Sequence, residues 1–231
     1  MTISYSDKDT GAMVSAAIFD MDGTMFDTER LSMEGWFSAC HGLGIPLTRE
    51  QFLLFRGHSV AENEKLFCGW FGPDAPYYEV RSLRDKYIND YISLHGVPIK
   101  PGLFELLDAL KKLGIRCCIA TGTARKAAQT YWDKSGVLPW FDATICGDEV
   151  VNCKPDPEIF IKAAEKLGVP PGDCVIFEDS PNGIRAAAAI TRHLIVVPDL
   201  DEPDDDMRKA CCAVCATLAD AIEVVKKLAA Q

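Results

Sequence analysis

Residues 16–24 of the chain, AAIFDMDGT, predict where its sheet and its chemistry begin. The apolar run 16–19 is typical of a short buried strand, and it ends directly at Asp20. Because side chains alternate along a strand, Asp20 and Asp22 would share one side, with Cα atoms about 6.6 Å apart if the chain stays extended. Gly23 would then let the backbone turn away. A phosphoryl group could lie between the two carboxylates.

The chain after residue 99 alternates short apolar runs with segments that have helical spacing. Gly114 ends a predicted helix before a predicted strand at 115–120, and the leucines at helical spacing in that helix are Leu103, Leu106, Leu107, Leu110 and Leu113. Strands that alternate with helices form parallel crossovers. The pattern therefore predicts an α/β fold with a doubly wound, Rossmann-like parallel sheet. Further strands are predicted at 143–146, 174–177, 194–197 and 212–214, and further helices at 124–134, 157–167, after Pro181 and across 218–228.

Residues 29–98 interrupt this alternation, because they contain helix formers, aromatic residues and turn signals but no convincing strand. We predict that they form a helical cap domain inserted into a core of residues 16–28 and 99–231. Five aromatic residues would form the interior of this cap: Trp36, Phe37, Phe67, Trp70 and Phe71. Residues 1–15 are expected to be a loosely held tail. The acidic, proline-broken run 199–206 is expected to be a solvated loop.

Composition narrows the class of protein. The 231 residues are 48% hydrophobic and 25% charged, which is typical of a globular protein with a substantial core. The net charge of −10 disfavours nucleic acid or an anionic membrane as the main partner, and no apolar stretch approaches membrane-spanning length. Ten cysteines are scattered without metal spacing, and no leader peptide is visible. We therefore expect a cytoplasmic protein with reduced thiols, and nothing demands more than a monomer.

Residues suited to a phosphate group follow four of the predicted strands. In open α/β sheets, ligands bind outside the carboxyl ends of the strands. These ends would bring together a possible nucleophile, hydroxyl and amide donors at a helix start, a cation and further carboxylates. The residues concerned are Asp20, Asp22, Thr121, Gly122, Lys154, Glu178 and Asp179.

Each of these features alone has an ordinary structural explanation. An Asp-x-Asp pair often forms a turn, a Thr-Gly pair often caps a helix, and a lysine before proline is usually exposed to solvent. Their occurrence in order at four strand ends favours a site over those explanations. Carboxylates crowded at one edge repel each other unless a cation neutralises them, and oxygen ligands beside a phosphate indicate Mg²⁺.

With these motifs in order, residues 16–230 resemble the haloacid dehalogenase superfamily. The resemblance is to the branch with a helical cap, which includes sugar-phosphate phosphatases and beta-phosphoglucomutases. The matching motifs are, in order, Asp20-Met21-Asp22-Gly23-Thr24, then Thr121, Lys154 and Glu178-Asp179. Gly147-Asp148-Glu149 and Asp179-Ser180-Pro181-Asn182-Gly183 are further hallmarks of this branch.

The resemblance implies a two-step phosphoryl transfer. Asp20 would be the nucleophile that forms an aspartyl-phosphate, and Asp22 would protonate the leaving oxygen and then deprotonate water. Dehalogenases and phosphonatases of the superfamily lack an acid at the position of Asp22, so its presence argues for phosphate-ester chemistry. The implied Mg²⁺ ligands are Asp20, the backbone carbonyl of Asp22 and Asp179, with Glu178 nearby. The implied phosphate-binding groups are Thr121, the Gly122 amide and Lys154.

Two positions in the predicted cap favour a phosphatase over a mutase. Beta-phosphoglucomutases carry a histidine where this chain has Ser32 and a phosphate-binding arginine where it has Val60. We therefore predict a Mg²⁺-dependent phosphatase for small phosphate monoesters such as sugar phosphates, with the mutase-like phosphotransferase as the alternative. Arg56 and His58 would contact the substrate, although both could equally be solvated at a helix end.

A phospho-acceptor receiver domain is the non-enzyme alternative, since receivers also combine an aspartate, a threonine, a lysine and Mg²⁺ on a doubly wound sheet. Their acceptor aspartate lies on the third strand of a shorter chain without a cap. Here the candidate acceptor, Asp20, follows the first strand and has a second acid two residues on. This arrangement argues against a receiver.

Overall fold

A six-stranded parallel sheet forms the centre of the core. In the computed structural model, which describes residues 14–56 and 58–230, the strand order is β3-β2-β1-β4-β5-β6. The strands are β1 (Ala16–Phe19), β2 (Arg116–Ala120), β3 (Ala143–Ile145), β4 (Cys174–Glu178), β5 (Leu194–Val196) and β6 (Ala213–Val214). The chain builds the sheet outward from β1 in one direction and then from β4 in the other. The predicted α/β fold with a doubly wound parallel sheet is confirmed.

Ten α-helices accompany the sheet within the described residues. Four lie between β1 and β2: α1 (Thr28–Gly42), α2 (Arg49–Leu53), α3 (Val60–Phe71) and α4 (Tyr77–His95). The others are α5 (Leu103–Lys112), α6 (Arg125–Ser135), α7 (Glu158–Leu167), α8 (Pro181–Ala188), α9 (Asp205–Ala210) and α10 (Ala221–Ala229). Helices α1–α4, residues 28–95, are called the inserted helices below.

Strand alternation divides the core into two apolar layers. Phe19 and Phe177, paired in register between β1 and β4, stack with ring centroids 4.4 Å apart on the face covered by α5, α6 and α10. Ile18 and Ile176 point to the opposite face, which α7 and α8 cover. Both faces of a parallel sheet must be covered in this way, so its strands are apolar throughout and polar residues collect at their carboxyl ends.

The inserted helices have an apolar interior of their own. Trp36 and Phe67 are buried there, and Phe37, Trp70 and Phe71 pack around them, as the sequence predicts. Capping boxes at Thr48 and Ser59 start α2 and α3 by satisfying backbone N–H groups at each helix end.

The two connections between the inserted helices and the core run side by side. Backbone hydrogen bonds join Asp27 N to Pro98 O at 2.8 Å and Lys100 N to Met25 O at 2.9 Å. Phe26 and Ile99 form an isolated antiparallel bridge between them. The entry and exit of the inserted helices are therefore paired immediately after β1.

Two predictions at the edges of the fold are wrong in part. Residues 1–13 of the predicted tail lie outside the described residues, but Val14 is buried and Ser15 N donates to Asp173 O at 3.0 Å. The acidic run 199–206 is not simply a solvated loop. The side chain of Asp199 is buried against Lys100, and Asp204 caps helix α9. Lys100, the partner of Asp199, is remote in the sequence. The backbone N–H group that Asp204 caps is available only when helix α9 has formed.

The described helices include none with the length and apolarity needed to cross a membrane.

Candidate active site

A buried lysine bridges two carboxylates at the carboxyl ends of neighbouring strands. Asp20 follows β1 and Glu178 ends β4, while Lys154 comes from the connection between β3 and α7. Lys154 Nζ donates to Asp20 Oδ1 at 2.5 Å and to Glu178 Oε1 at 2.7 Å. The three side chains are at most 11% exposed. The order of the strands thus brings together Asp20 and Glu178, which are 158 residues apart in the sequence.

Burial and the neighbouring opposite charge act in opposite directions on the pKa values of Asp20 and Lys154. Burial raises the pKa of Asp20 well above its ordinary value, the charge of Lys154 opposes this rise, and the charge of Glu178 adds to it. Burial alone would lower the pKa of Lys154, but the two carboxylates outweigh it and raise that pKa above its ordinary value. Lys154 is therefore a fixed cation at neutral pH.

Glu178 also shapes the turn that leads into α8. Its Oε2 accepts hydrogen bonds from Asp179 N and Ser180 N, both at 2.7 Å, and from Ser180 Oγ at 3.0 Å. Gly183 packs so closely against this carboxylate that a Cβ atom would overlap it. With Lys154 on its other oxygen, Glu178 has its hydrogen-bonding capacity filled by the protein.

Asp179 is held from both sides of the site. Thr24 Oγ1 donates to its Oδ1 at 3.0 Å, and the guanidinium of Arg56 pairs with its Oδ2. Gly23 has a φ of +87° and lies against the same carboxylate, where no side chain would fit. Burial, together with the charge of Glu178, raises the pKa of Asp179 well above its ordinary value.

Asp22 is oriented by threonine hydroxyls. Thr28 Oγ1 donates to its Oδ1 at 2.6 Å, and Thr123 Oγ1 donates to its Oδ2 at 2.7 Å. Thr121 Oγ1 lies 3.4 Å from the same Oδ2. Thr121, at the carboxyl end of β2, therefore lies beside Asp22, and the carboxylate has a defined direction.

A cavity of about 390 Å³ lies between this edge of the sheet and the inserted helices. Asp20, Asp22, Gly122 and Lys154 line it from the core side. Arg56, His58 and Val60 line it from the inserted helices. The residue His58 is exposed, whereas the side chain of Arg56 is only 4% exposed, so Arg56 is not solvated at a helix end.

Sequence reasoning missed Glu29, which lines the same cavity from the start of α1. Burial raises the pKa of Glu29 to about 7, and Arg56 is the largest opposing influence. Its only sequence signal is its position directly after Asp27-Thr28, at the entry to the inserted helices. Arg81 and Arg84 on α4 were also missed, and they line an adjoining cavity of about 510 Å³ that also reaches Asp22.

A second acidic group lies beside the site, and its carboxylates have partners within the protein. Ligand atoms of Cys146, Asp148 and Glu149 lie within 4.8 Å of one another. Glu149 pairs with Arg125, whose backbone N–H donates to Asp148 Oδ1 at 2.9 Å. These residues join the start of α6 to the end of β3.

Comparison with known proteins identifies the family. Residues 14–191 match the haloacid dehalogenase-like hydrolase family, so the chain belongs to that family and the resemblance seen in the sequence is confirmed. The "Phosphorylated carbohydrates phosphatase" of Thermotoga maritima is 32% identical over 200 residues, covering 82% of this chain and 88% of that protein. The longer "Protein SUPPRESSOR OF QUENCHING 1, chloroplastic" of Arabidopsis thaliana is 30% identical over 82% of this chain, which spans 18% of that protein.

A solved structure supports the fold over nearly the whole chain. The crystal structure described as a HAD hydrolase, family IA, variant 3 from Entamoeba histolytica has a TM-score of 0.77 at 26% identity. The match covers 94% of this chain and 100% of that chain. The inserted helices are therefore included in the shared architecture.

Proposed function

We propose that this protein is a phosphatase that hydrolyses small phosphate monoesters, sugar phosphates among them, through an aspartyl-phosphate. The observation that carries the proposal is the Asp20–Lys154–Glu178 cluster at the edge of the sheet, whose Asp20 and Lys154 line the cavity together with Asp22. The similarity to a phosphatase of phosphorylated carbohydrates supports the same chemistry.

In the first step, Asp20 attacks phosphorus and the bond from phosphorus to the ester oxygen breaks. Asp22 donates a proton to the leaving oxygen, so the alcohol departs neutral. In the second step, Asp22 takes a proton from water as the water oxygen attacks phosphorus, and the bond to Asp20 breaks to release phosphate. The hydroxyls of Thr28 and Thr123 keep Asp22 directed for both proton transfers.

Phosphate oxygens need cationic and N–H donors as charge develops on them. Lys154 supplies a fixed positive charge beside the nucleophile. Thr121 and Gly122 stand at the carboxyl end of β2, and Gly122 lines the cavity, so the Thr121 hydroxyl and the Gly122 amide are the proposed further donors.

The donor set also fits a magnesium ion. Asp20, Asp22, Glu178 and Asp179 bring four carboxylates to one edge of the sheet, while only Lys154 and Arg56 form ion pairs with them in the described structure. Oxygen-only ligands and this excess of negative charge suit Mg²⁺. The proposed ligands are Asp20, the Asp22 backbone carbonyl and Asp179, and Arg56 would have to release the Asp179 oxygen that it pairs with. When bound, the ion would neutralise charge between the carboxylates and the incoming phosphate.

Glu178 belongs to this set as a supporting residue. Its two oxygens accept hydrogen bonds from Lys154, Asp179 and Ser180. We therefore propose that it positions the metal-binding turn and Lys154, and that it reaches the ion only indirectly.

Residues 29–98 are proposed to act as a cap that selects the substrate. Arg56 and His58 line the cavity opposite Lys154, so they are the proposed contacts for the alcohol part of the ester. The volume of about 390 Å³ suits a small metabolite, with pockets for small molecules typically about 300–1,000 Å³.

A phosphotransferase of the mutase type is the second candidate. Arg81 and Arg84 line the adjoining cavity next to Asp22, and two arginines could hold a second phosphate there. Against this, Ser32 and Val60 occupy the positions of the histidine and the phosphate-binding arginine expected for a mutase, and both line that cavity. The hydrolase is therefore the better-supported proposal.

Phosphate release separates these possibilities. Wild-type protein and Asp20→Asn are incubated with a panel of sugar, polyol and nucleoside monophosphates, with Mg²⁺ or with EDTA. We expect Mg²⁺-dependent release that is lost in Asp20→Asn, a change that keeps size but removes the nucleophilic carboxylate. No release from any member refutes the phosphatase. Conversion of β-glucose 1-phosphate to glucose 6-phosphate, primed by glucose 1,6-bisphosphate, would instead support the mutase.

We further propose that the protein acts as a monomer in a reducing compartment such as the cytoplasm. All ten cysteines, each within the described ranges, are unpaired, and burial raises the pKa of several, including Cys117 and Cys118. Buried neutral thiols of this kind pack as small apolar groups.

A further inference from the structure

Three consecutive residues after β5 tie the core to the inserted helices, and residues 199–201 are called the strap below. The side chain of Asp199 is buried, and its Oδ1 accepts a hydrogen bond from Lys100 Nζ at 2.6 Å. Leu200 packs against the aromatic interior of the inserted helices. The carbonyl of Leu200 accepts a hydrogen bond from Arg49 Nη2 at 2.6 Å. The strap therefore has one end in the core and the other in the helices above the cavity.

Asp201 completes this contact by holding Arg56. Arg56 Nη1 lies 3.2 Å from Asp201 Oδ2, while its Nη2 pairs with Asp179. Arg49 Nη2 lies 3.5 Å from the other oxygen of Asp201. A planar guanidinium held at both terminal nitrogens has its orientation determined by those two partners. Asp179 belongs to the proposed catalytic cluster, so Asp201 is the partner that anchors Arg56 from outside it.

Besides the N–H groups that Asp201 and Asp179 hold, Arg56 keeps donors for a ligand. Its Nε is buried and has no hydrogen-bond partner in the described structure, although Arg56 lines the cavity above Lys154. A buried donor without a partner is unfavourable, so binding of an acceptor beside it would be favoured. When Asp179 binds the proposed metal, Asp201 is the ion-pair partner that still holds Arg56, so the direction of this donor then depends on Asp201.

We propose that Asp201 is a positioning residue that holds Arg56 over the cavity, and that the strap thereby sets substrate affinity. This inference rests on the proposed function, since it takes Arg56 as a substrate contact. Asp201 contacts no reacting atom, so its loss should weaken ground-state binding more than it slows the chemical step.

Steady-state phosphate release from glucose 6-phosphate and from p-nitrophenyl phosphate tests the effect on binding. We expect Asp201→Asn to raise KM by about fivefold, the upper end for a partly exposed ion pair, with kcat within about twofold of wild type. Asp201→Glu restores the carboxylate and should recover much of the affinity. Glu202→Gln is the matched control, because it removes the same charge at the next position. Glu202 pairs with Arg208 in its own segment and not with Arg56.

A double-mutant cycle tests whether Asp201 acts through Arg56. If it does, Asp201→Asn raises KM in the wild-type background but adds nothing in Arg56→Gln, so the two effects are not additive. Equal effects of Asp201→Asn in both backgrounds would overturn the proposal. So would a KM for Asp201→Asn that matches Glu202→Gln, or a fall in kcat with unchanged KM.

Hydrogen exchange separates failure of this inference from failure of the proposed function. Faster amide exchange in the Arg56 segment of Asp201→Asn, with Glu202→Gln unchanged, is the result expected from loss of the anchor. Unchanged exchange in Asp201→Asn overturns positioning whatever the activity. If wild-type protein releases no phosphate from any ester, the proposed function fails, and the exchange result still decides whether Asp201 holds Arg56.

Discussion

Of the cationic side chains in this protein, we expect Lys154 to lower the free energy of unfolding most when it is removed. Lys154→Met keeps an apolar stem of similar length but leaves Asp20 and Glu178 without the ammonium that bridges them. Removing one partner of a buried ion pair typically costs about 3–5 kcal/mol, because the remaining charge stays buried and uncompensated. Because Asp20 can take up a proton instead, we expect a loss of about 3 kcal/mol near pH 8, at the lower end of that range. Most domains have a total stability of about 5–15 kcal/mol, so the loss is large.

The stability lost in Lys154→Met should depend on pH. Burial already raises the pKa of Asp20 in the folded protein, and Lys154 opposes that rise. Without Lys154 the folded-state pKa moves further above the unfolded value. A raised carboxyl pKa contributes stability below the unfolded pKa, and that contribution is lost as the pH rises through the folded-state pKa. The difference between wild type and Lys154→Met should therefore widen from pH 5 to pH 8.

Urea unfolding followed by tryptophan fluorescence, in buffer with EDTA, measures both quantities. Lys154→Arg keeps the positive charge and should lose less than Lys154→Met. Lys86→Met is the matched control, because Lys86 forms an exposed pair with Asp90 one helical turn away and should cost less than about 0.5 kcal/mol. A loss below about 1 kcal/mol for Lys154→Met at pH 8, or one equal to that of Lys86→Met, would refute the reasoning.

Two further predictions concern the carboxylates around the site. Gly183→Ala should destabilise the fold by about 1–3 kcal/mol, because the added Cβ would overlap the fixed Glu178 carboxylate. Gly172→Ala is the control, since its Cβ would meet open space, and it should change the free energy of unfolding by less than about 0.5 kcal/mol in the same urea assay. Glu29 has a pKa raised from 4.5 to about 7, so the stability that its protonated form contributes is lost as the pH rises through about 7. Glu29→Gln should therefore gain stability relative to wild type, by up to about 3 kcal/mol, between pH 5 and pH 8. A constant difference across this range would contradict the raised pKa of Glu29.

The sheet and the residues at its carboxyl edge could be predicted from local pattern. Runs such as 16–19 and 174–177 are too short and too apolar for surface helices, and parallel strands covered on both faces must be apolar throughout. Once β1 and β4 are recognised, the general rule for open α/β sheets places Asp20 and Glu178 at the same edge. The short edge strand at 213–214 also followed from its apolar run, although the predicted ends of several elements differ from the observed ones by one or more residues.

The partners of individual charges were decided by the tertiary structure. The run 199–206 looks like a solvated acidic loop in the sequence, because nothing local shows that Lys100, Arg49 and Arg56 will surround it. Burial of Arg56 and the raised pKa of Glu29 likewise depend on how the inserted helices lie over the sheet.

The strands and helices were predictable and the charge partners were not, because the two depend on interactions over different distances along the sequence. Strand and helix patterns follow from backbone geometry and the burial of neighbouring apolar side chains, which a short window of sequence contains. Ion pairs and desolvation depend on distance and burial in three dimensions, and a window of sequence contains neither. The sequence by itself therefore determined the sheet and the edge that carries Asp20, Lys154 and Glu178, whereas only the tertiary structure decided that Asp201 meets Arg56 above them.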